Sequence, residues 1–294
     1  MTGRKPAWLK VRPGGGEAFG TVKGMLAGLK LHTVCEEARC PNRGECWSSG
    51  TATFLVLGDT CTRSCRFCAV RKGDPAGSVD PEEPQRVAAA AVAWGLRHVV
   101  VTCVTRDDLP DGGAAHLARV IRALRDQAPG VTVEVLVSDF GGEAQAVRTV
   151  IEAGPDVFAH NVETVERLQG RVRDPRCSLA RSLEVLRTAR VLGPDIVVKS
   201  ALLLGLGETD EEVRITLSAL SAAGATSLTL GQYLAPSAAH APVVAWIPPE
   251  VFEAWRVWAL ENGFTAVASG PLVRSSYRAG DLLAAGRPVP GAAP

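Results

Sequence analysis

Residues 51–68 read TATFLVLGDTCTRSCRFC. The first eight are β-branched and apolar without a polar alternation, the composition of a strand buried on both faces. The chain then leaves through Gly58 and Asp59 into a loop with three thiols, Cys61, Cys65 and Cys68. A buried strand that empties into a loop of metal-binding side chains opens a β/α unit, whose site forms at the strand's C-terminal end.

The same alternation continues downstream. Strand-like runs HVVVTCV (98–104), VTVEVLV (131–137), DVFAH (156–160), IVVKSALLL (196–204) and SLTLGQYL (227–234) follow. Helix-like runs precede or separate them at 82–94, 114–127, 143–152, 179–192 and 210–222. Six apolar strands alternating with helices predict an α/β fold with a parallel sheet, as a partial (β/α)6 barrel of the TIM type. The barrel is expected over 51–265. Residues 1–50 read as an irregular N-terminal extension with a short helix at 20–29. A helix at 251–262 follows the sixth unit. Residues 266–294 read as a C-terminal extension, in which a last strand and loop (FTAVASGPLVRSSY, starting at 264) precede a loose tail, RPVPGAAP.

The chain has 294 residues, of which 46% are hydrophobic and 21% charged, enough for one large core. Lys and Arg total 32 against 31 Asp and Glu, so there is no electrostatic case for nucleic acid or an anionic membrane as partner. No apolar run approaches the ~20 residues of a membrane span. The basic start MTGRKPAWLKVRPGGG lacks a hydrophobic stretch of the secretory kind, and the reading is cytoplasmic.

Six of the eight cysteines fall within 34 residues, in two groups of three. In a reducing compartment such clustering points to metal rather than disulfides. Cys61, Cys65 and Cys68 have three and then two residues between them. A four-iron cluster normally takes four thiolates. Three leave one iron open to substrate. Three cysteines and a water are also a possible zinc site, since thiolates alone do not separate the two metals. Cys35, Cys40 and Cys46 have four and then five residues between them, and form a second metal-binding group.

CxxxCxxC after the first strand of a β/α barrel resembles the radical S-adenosylmethionine superfamily, with Phe67 at that family's aromatic position. In that family the open iron binds S-adenosylmethionine, whose reductive cleavage yields a 5′-deoxyadenosyl radical. The run HTVCEEARCPNRGECWSSGTATFLVLGDTCTRSCRFCAV is similar, almost residue by residue, to the lipoyl synthase family. So are TRDDLPDGG, EVLVSDF, GPDVFAHNVETVERL, KSALLLGLGETDEEV, LTLGQYLAPS and SGPLVRSSY. The likeness spans roughly residues 8–279.

That resemblance implies two [4Fe-4S] clusters. One is held by Cys61, Cys65 and Cys68. The other, auxiliary, is held by Cys35, Cys40, Cys46 and Ser276 of the Arg274-Ser275-Ser276-Tyr277 motif. It also implies an enzyme that inserts sulfur at carbons 6 and 8 of an octanoyl chain on a lysine of another protein, with the auxiliary cluster as sulfur donor. The expected carrier is a lipoyl domain or glycine-cleavage H protein. The expected reductant is a flavodoxin or ferredoxin, and a cluster carrier rebuilds the auxiliary site. An alkoxide is a harder ligand than a thiolate, which marks the serine corner as labile. Read alone, Arg-Ser-Ser-Tyr is an ordinary polar turn.

The rim position makes Asn161, Glu163, Lys199 and Ser200 candidates for the cofactor's polar groups. Thr105, Arg106, Asp107 and Asp108 either bind the cofactor or order their loop. Asp111 reads as a helix cap. Gly205-Leu206-Gly207 is too short for a nucleotide loop. Arg173 reads as a solvated surface residue. Cys103, where the family has serine, reads as buried, and Cys177 as a more exposed extra thiol. Trp246, Trp255 and Trp258 read as packing residues. Three rival functions stand beside the main one: another sulfur-inserting radical enzyme such as a biotin synthase or methylthiotransferase, a two-cluster electron-transfer protein, and a zinc-bearing binding module.

Overall fold

A computed structural model describes residues 5–10, 17–37, 40, 42–48 and 53–286. The expected tail at 287–294, Pro41 and the first two residues of the strand expected at 51 lie outside them. Ten strands run in chain order: β1 (His32–Thr33), β2 (Thr53–Val56), β3 (Thr60–Cys61), β4 (Arg71–Lys72), β5 (His98–Cys103), β6 (Thr132–Leu136), β7 (Val157–Ala159), β8 (Val197–Leu204), β9 (Ser227–Gln232) and β10 (Ala266–Gly270). The helices are α1 (Glu17–Gly28), α2 (Val34–Glu37), α3 (Arg43–Ser48), α4 (Glu83–Ala93), α5 (Ala114–Gln127), α6 (Ala144–Ile151), α7 (Gln169–Val172), α8 (Leu179–Leu192), α9 (Asp210–Ala222), α10 (Pro249–Glu261) and α11 (Ala279–Gly286).

The main sheet has the order β1-β2-β5-β6-β7-β8-β9-β10 and does not close on itself. From β2 onward every pair is parallel, and only β1 is antiparallel. This is the expected half-barrel, lengthened by one strand at each edge. The six strands expected between 51 and 265 are its centre. Both extensions join the same sheet: β1 through His32↔Leu55 and β10 through Ala266↔Ser227. Residue 265 is therefore no break in the sheet, because β10 continues the hydrogen-bond ladder of β9.

The local chemistry explains the units. β2 and β9 are buried at every residue, as parallel strands covered on both faces must be. Asp111 accepts from the N–H groups of Gly113 and Ala115 and so caps α5. Ser178 caps α8, and Thr209 with Glu212 forms a reciprocal capping box on α9. Trp255 and Trp258 pack edge to face on α10, as expected of packing residues. Glu208 accepts from the N–H groups of Gly205 and Leu206, so that glycine turn is satisfied by its own neighbour.

The C-terminal segment spans the half-barrel. A Cβ on Gly231 would meet the Val273 carbonyl at 2.1 Å, so only glycine in β9 lets the segment pass this close. Beyond it α11 packs at the opposite end, with Gly280 against His98, the first residue of β5, and Gly286 against Ala266. Among the described residues no helix is long and apolar enough to cross a membrane.

Candidate active site

A cavity of about 530 Å³ opens at the C-terminal ends of the strands, a size suited to a small organic ligand. Its wall takes Cys103–Thr105 from the end of β5 onward, Val137–Asp139 after β6, His160, Asn161 and Glu163 after β7, Leu203 of β8 and Gln232–Pro236 from the end of β9 onward. Cys61, Cys65, Phe67 and Cys68 line it, and so do Cys35, Cys40 and Ser276. A small adjoining pocket is lined by Cys35, Cys40, Cys46, Arg274, Ser276 and Tyr277. Cys35 and Cys40 of the first group thus face the same space as the whole second group, Cys46 faces the adjoining pocket, and the serine expected to complete the first group borders both.

Residues more than 200 positions apart make that second pocket. Tyr277 donates to the Glu45 carboxylate at 2.8 Å, and Asn42 Nδ2 donates to the Leu272 carbonyl at 2.6 Å. Cys46 N–H donates to the Asn42 carbonyl at 2.9 Å, which starts α3. Burial pushes the Cys35 thiol up. It pushes Cys46 up to about 12, helped by Cys35 and Cys40 alongside. Thiolates gathered this closely repel unless a cation shares them. The Arg274 guanidinium is half-buried beside Cys40, and desolvation lowers its pKa. Among the described residues no carboxylate pairs with it, so an anionic group held by the thiolates fits the space.

The second cysteine loop is clamped from outside. Arg63 is 5% exposed and makes two-pronged ion pairs with both Asp107 and Asp139. Asp107 follows β5 and Asp139 follows β6, so one guanidinium ties the loop to two neighbouring β/α turns. Ser64 donates from its N–H and hydroxyl to Asp174, and Arg66 N–H donates to the Val172 carbonyl. Burial pushes Cys68 up to about 11. Among the described residues no three His, Cys, Asp or Glu side chains meet as ligands of one ion. The sulfurs border the two cavities.

The opposite wall is polar. Glu163 has φ +65°, rare for a side chain this size, and is fixed there by backbone bonds to Ala201 and Leu203 of β8. Burial pushes its carboxyl up, while Arg173 and a hydrogen bond from Asn161 pull it back. Asn161 Oδ1 is buried and has no hydrogen-bond partner among the described residues. An orphaned acceptor in a cavity wall fits a ligand with a hydroxyl or amino donor.

Three expectations are corrected here. Lys199 is not on the wall: its ammonium is buried one layer below, 2.7 and 2.9 Å from the Glu134 carboxylate oxygens, because it points inward from β8 beneath Ala201. Ser200 is likewise buried away from the cavity. Arg173, read as surface, is 7% exposed and lines the cavity, bonded to Gln169 and Ser182. Cys103 and Cys177 are both half-buried and both line the cavity. Asp107 and Asp108 order their loop, Asp108 by pairing with Arg106. The residues that sequence reasoning missed are Arg63, Asp139 and Arg274. Arg63 and Arg274 lie inside motifs singled out above, and Asp139 lies within EVLVSDF, but nothing in composition distinguishes a buried arginine from a solvated one.

A rim cavity on an open β/α barrel, walled by a CxxxCxxC loop, defines the class as a radical S-adenosylmethionine protein. The Radical SAM superfamily model matches residues 55–220, and the model for the N-terminal domain of lipoyl synthase matches residues 2–40. Methylornithine synthase has a solved structure of the same fold, with TM-score 0.55 and 14% identity over 73% of this chain and 63% of that one. Lipoyl synthase of Thermus thermophilus is 55% identical over 94% of this chain and 85% of its own length. The chloroplastic lipoyl synthase of Arabidopsis thaliana is 50% identical over 95% of this chain and 72% of its own. The chain belongs to the lipoyl synthase family. It is an enzyme whose cofactors are S-adenosylmethionine and two [4Fe-4S] clusters, and its substrate is a protein-bound octanoyl group.

Proposed function

We propose that the chain inserts two sulfur atoms, at carbons 6 and 8, into an octanoyl group on a lysine of a lipoyl domain or glycine-cleavage H protein. When bound, S-adenosylmethionine and the clusters supply a 5′-deoxyadenosyl radical and the sulfur. Unactivated methylene C–H bonds carry no acidic proton, so acid–base side chains alone have nothing to act on.

The side chains hold and orient. Cys61, Cys65 and Cys68 anchor the cluster that binds the cofactor, with Phe67 against it. Asn161 offers its free acceptor to the cofactor, and Glu163 and Arg173 bracket its charged end. Cys35, Cys40, Cys46 and Ser276 hold the sulfur-donating cluster, and Arg274 offsets its charge. The apolar wall formed by Leu55, Leu136 and Leu203 shields the octanoyl chain from water. A flavodoxin or ferredoxin supplies electrons, a cluster carrier restores the donor site, and the cytoplasm is the compartment. The observation that supports this reading is that Cys35, Cys40 and Ser276 border the same cavity as Cys61, Cys65 and Cys68. A radical made at one group has the other within the same enclosure, and held geometry supplies regioselectivity.

The test is mass spectrometry of an octanoyl-lysine peptide after anaerobic incubation with S-adenosylmethionine and a reductant. The expected product carries two added sulfurs. Formation of 5′-deoxyadenosine with an unreactive octanoyl peptide would overturn the substrate assignment.

A further inference from the structure

β2 ends at Val56, and the chain leaves the sheet through Leu57 at φ +67° and Gly58 at φ +85°. Glycine takes a left-handed conformation freely, whereas leucine rarely adopts it. Leu57 is 3% exposed, so water does not hold it there. Three other segments do. Its N–H donates to Glu83 Oε2 at 2.8 Å, from the first turn of α4. Its carbonyl accepts from Arg106 Nη1 at 3.1 Å, from the loop after β5. Its side chain fills the space beside Gly113, where a Cβ would meet Leu57 Cδ1 at 2.3 Å.

Both polar partners are themselves fixed. Arg106 is buried and makes a two-pronged pair with Asp108. Glu83 Oε2 also accepts from His116 Nε2 of α5 at 2.7 Å. Arg119 Nη2 meets His116 Nδ1 at 3.0 Å; a guanidinium only donates, so Nδ1 is the acceptor and Nε2 carries the proton. Glu83, Arg106 and His116 belong to neither cysteine group and stand outside the cavity lining.

We propose that Glu83 and Arg106 are positioning residues. They hold the Leu57 peptide in a conformation its side chain disfavours, and so set the direction in which the loop 59–72 runs from β2 along the cavity. A strained residue persists only where its surroundings over-determine it. That loop carries one half of the proposed cofactor site, and the polar wall of Asn161, Glu163 and Arg173 is the other half. The turn at Leu57 sets the spacing between them. The consequence for cofactor binding rests on the site proposed above; the clamp on Leu57 does not.

The experiment is amide hydrogen exchange on the iron-free chain, read at single residues, with the kinetics of S-adenosylmethionine cleavage by the loaded chain beside it. The Leu57 amide of the unaltered chain should exchange as slowly as those of β2; exchange at the rate of an unprotected amide overturns the clamp. Glu83→Ala should speed exchange across 57–72 and raise the KM for S-adenosylmethionine about ten-fold, with kcat changed less than about two-fold. Glu83→Gln keeps an oxygen acceptor and should match the unaltered chain. Leu57→Gly separates a clamp from mere packing. Glycine needs no holding, so in that background Glu83→Ala should raise KM less than about two-fold. An equal rise in both backgrounds, or a Glu83→Gln chain as impaired as Glu83→Ala, overturns the proposal. Faster exchange with an unchanged KM overturns the positioning role. If Glu83→Ala does not fold, Glu83→Asp, whose carboxylate is one methylene further from Leu57, takes its place with the same expectations. An unaltered chain that cleaves no S-adenosylmethionine sinks the site reading instead, and exchange in the two Leu57 backgrounds then decides the clamp.

Discussion

His160 follows β7 with both ring nitrogens bonded, Nδ1 to the Val137 carbonyl at 3.0 Å and Nε2 to Ser182 Oγ at 2.9 Å. Burial, and then the Arg173 cation, hold its pKa at about 4 against 6.5 for a free imidazole. The unfolded chain therefore binds a proton that the folded chain does not. Its contribution is intact above pH ~6.5 and is lost as pH falls towards 4, by about 3 kcal/mol at most. Urea midpoints measured from pH 7.5 down to 4.5 should fall, and His160→Gln should flatten that slope. Lys199 carries a second residue-scale expectation. Lys199→Met leaves Glu134 buried without its cation and should destabilise by about 3–5 kcal/mol, whereas Lys199→Met with Glu134→Leu should recover most of the loss. Chemical denaturation of the three chains measures this. Neither pairing was legible in the sequence. A lysine at a rim strand looks like a cofactor ligand until the strand's register turns it down into the barrel.

Among elements, the C-terminal segment matters most. It crosses β9 at Gly231, reaches α3 through Tyr277 and Leu272, and ends as α11 beneath the barrel. Gly231→Ala should push the segment off the sheet and lower the iron content of the first cysteine group, read as fewer irons per chain with an unchanged CxxxCxxC-cluster signal in paramagnetic resonance. Ser276→Ala should cut sulfur insertion at least ten-fold while 5′-deoxyadenosine formation changes only a few-fold. Equal loss of both would count against its ligand role. The strands and helices of the six central units were legible because apolar, β-branched runs alternate with longer helical stretches, some of them capped as α8 and α9 are. β1 was not, since two residues have no period, and it forms only because β2 offers an open edge.

For the whole molecule, the barrel and its extensions are one sheet. Ending the chain at residue 265 removes β10 and α11 and leaves the edge of β9 bare. That shortened chain should be recovered as aggregate, checked by size-exclusion chromatography against the full chain. Anaerobic preparation of the full chain should yield about eight irons, and Cys35→Ala with Cys40→Ala and Cys46→Ala about four. A colourless chain holding zinc would sink the two-cluster assignment.

The sequence by itself determined the β/α alternation, the two thiol groupings and, through family likeness, the serine near the end of the chain. These are local properties: periodicity, spacing and motif survive without coordinates. Only the tertiary structure decided that members of both cysteine groups, on different elements, border one cavity, that the buried Arg63 and Arg173 and the half-buried Arg274 line it, and that Lys199 does not. Burial and juxtaposition are set by residues far apart in the chain, and no local pattern records which distant segments the sheet will bring together.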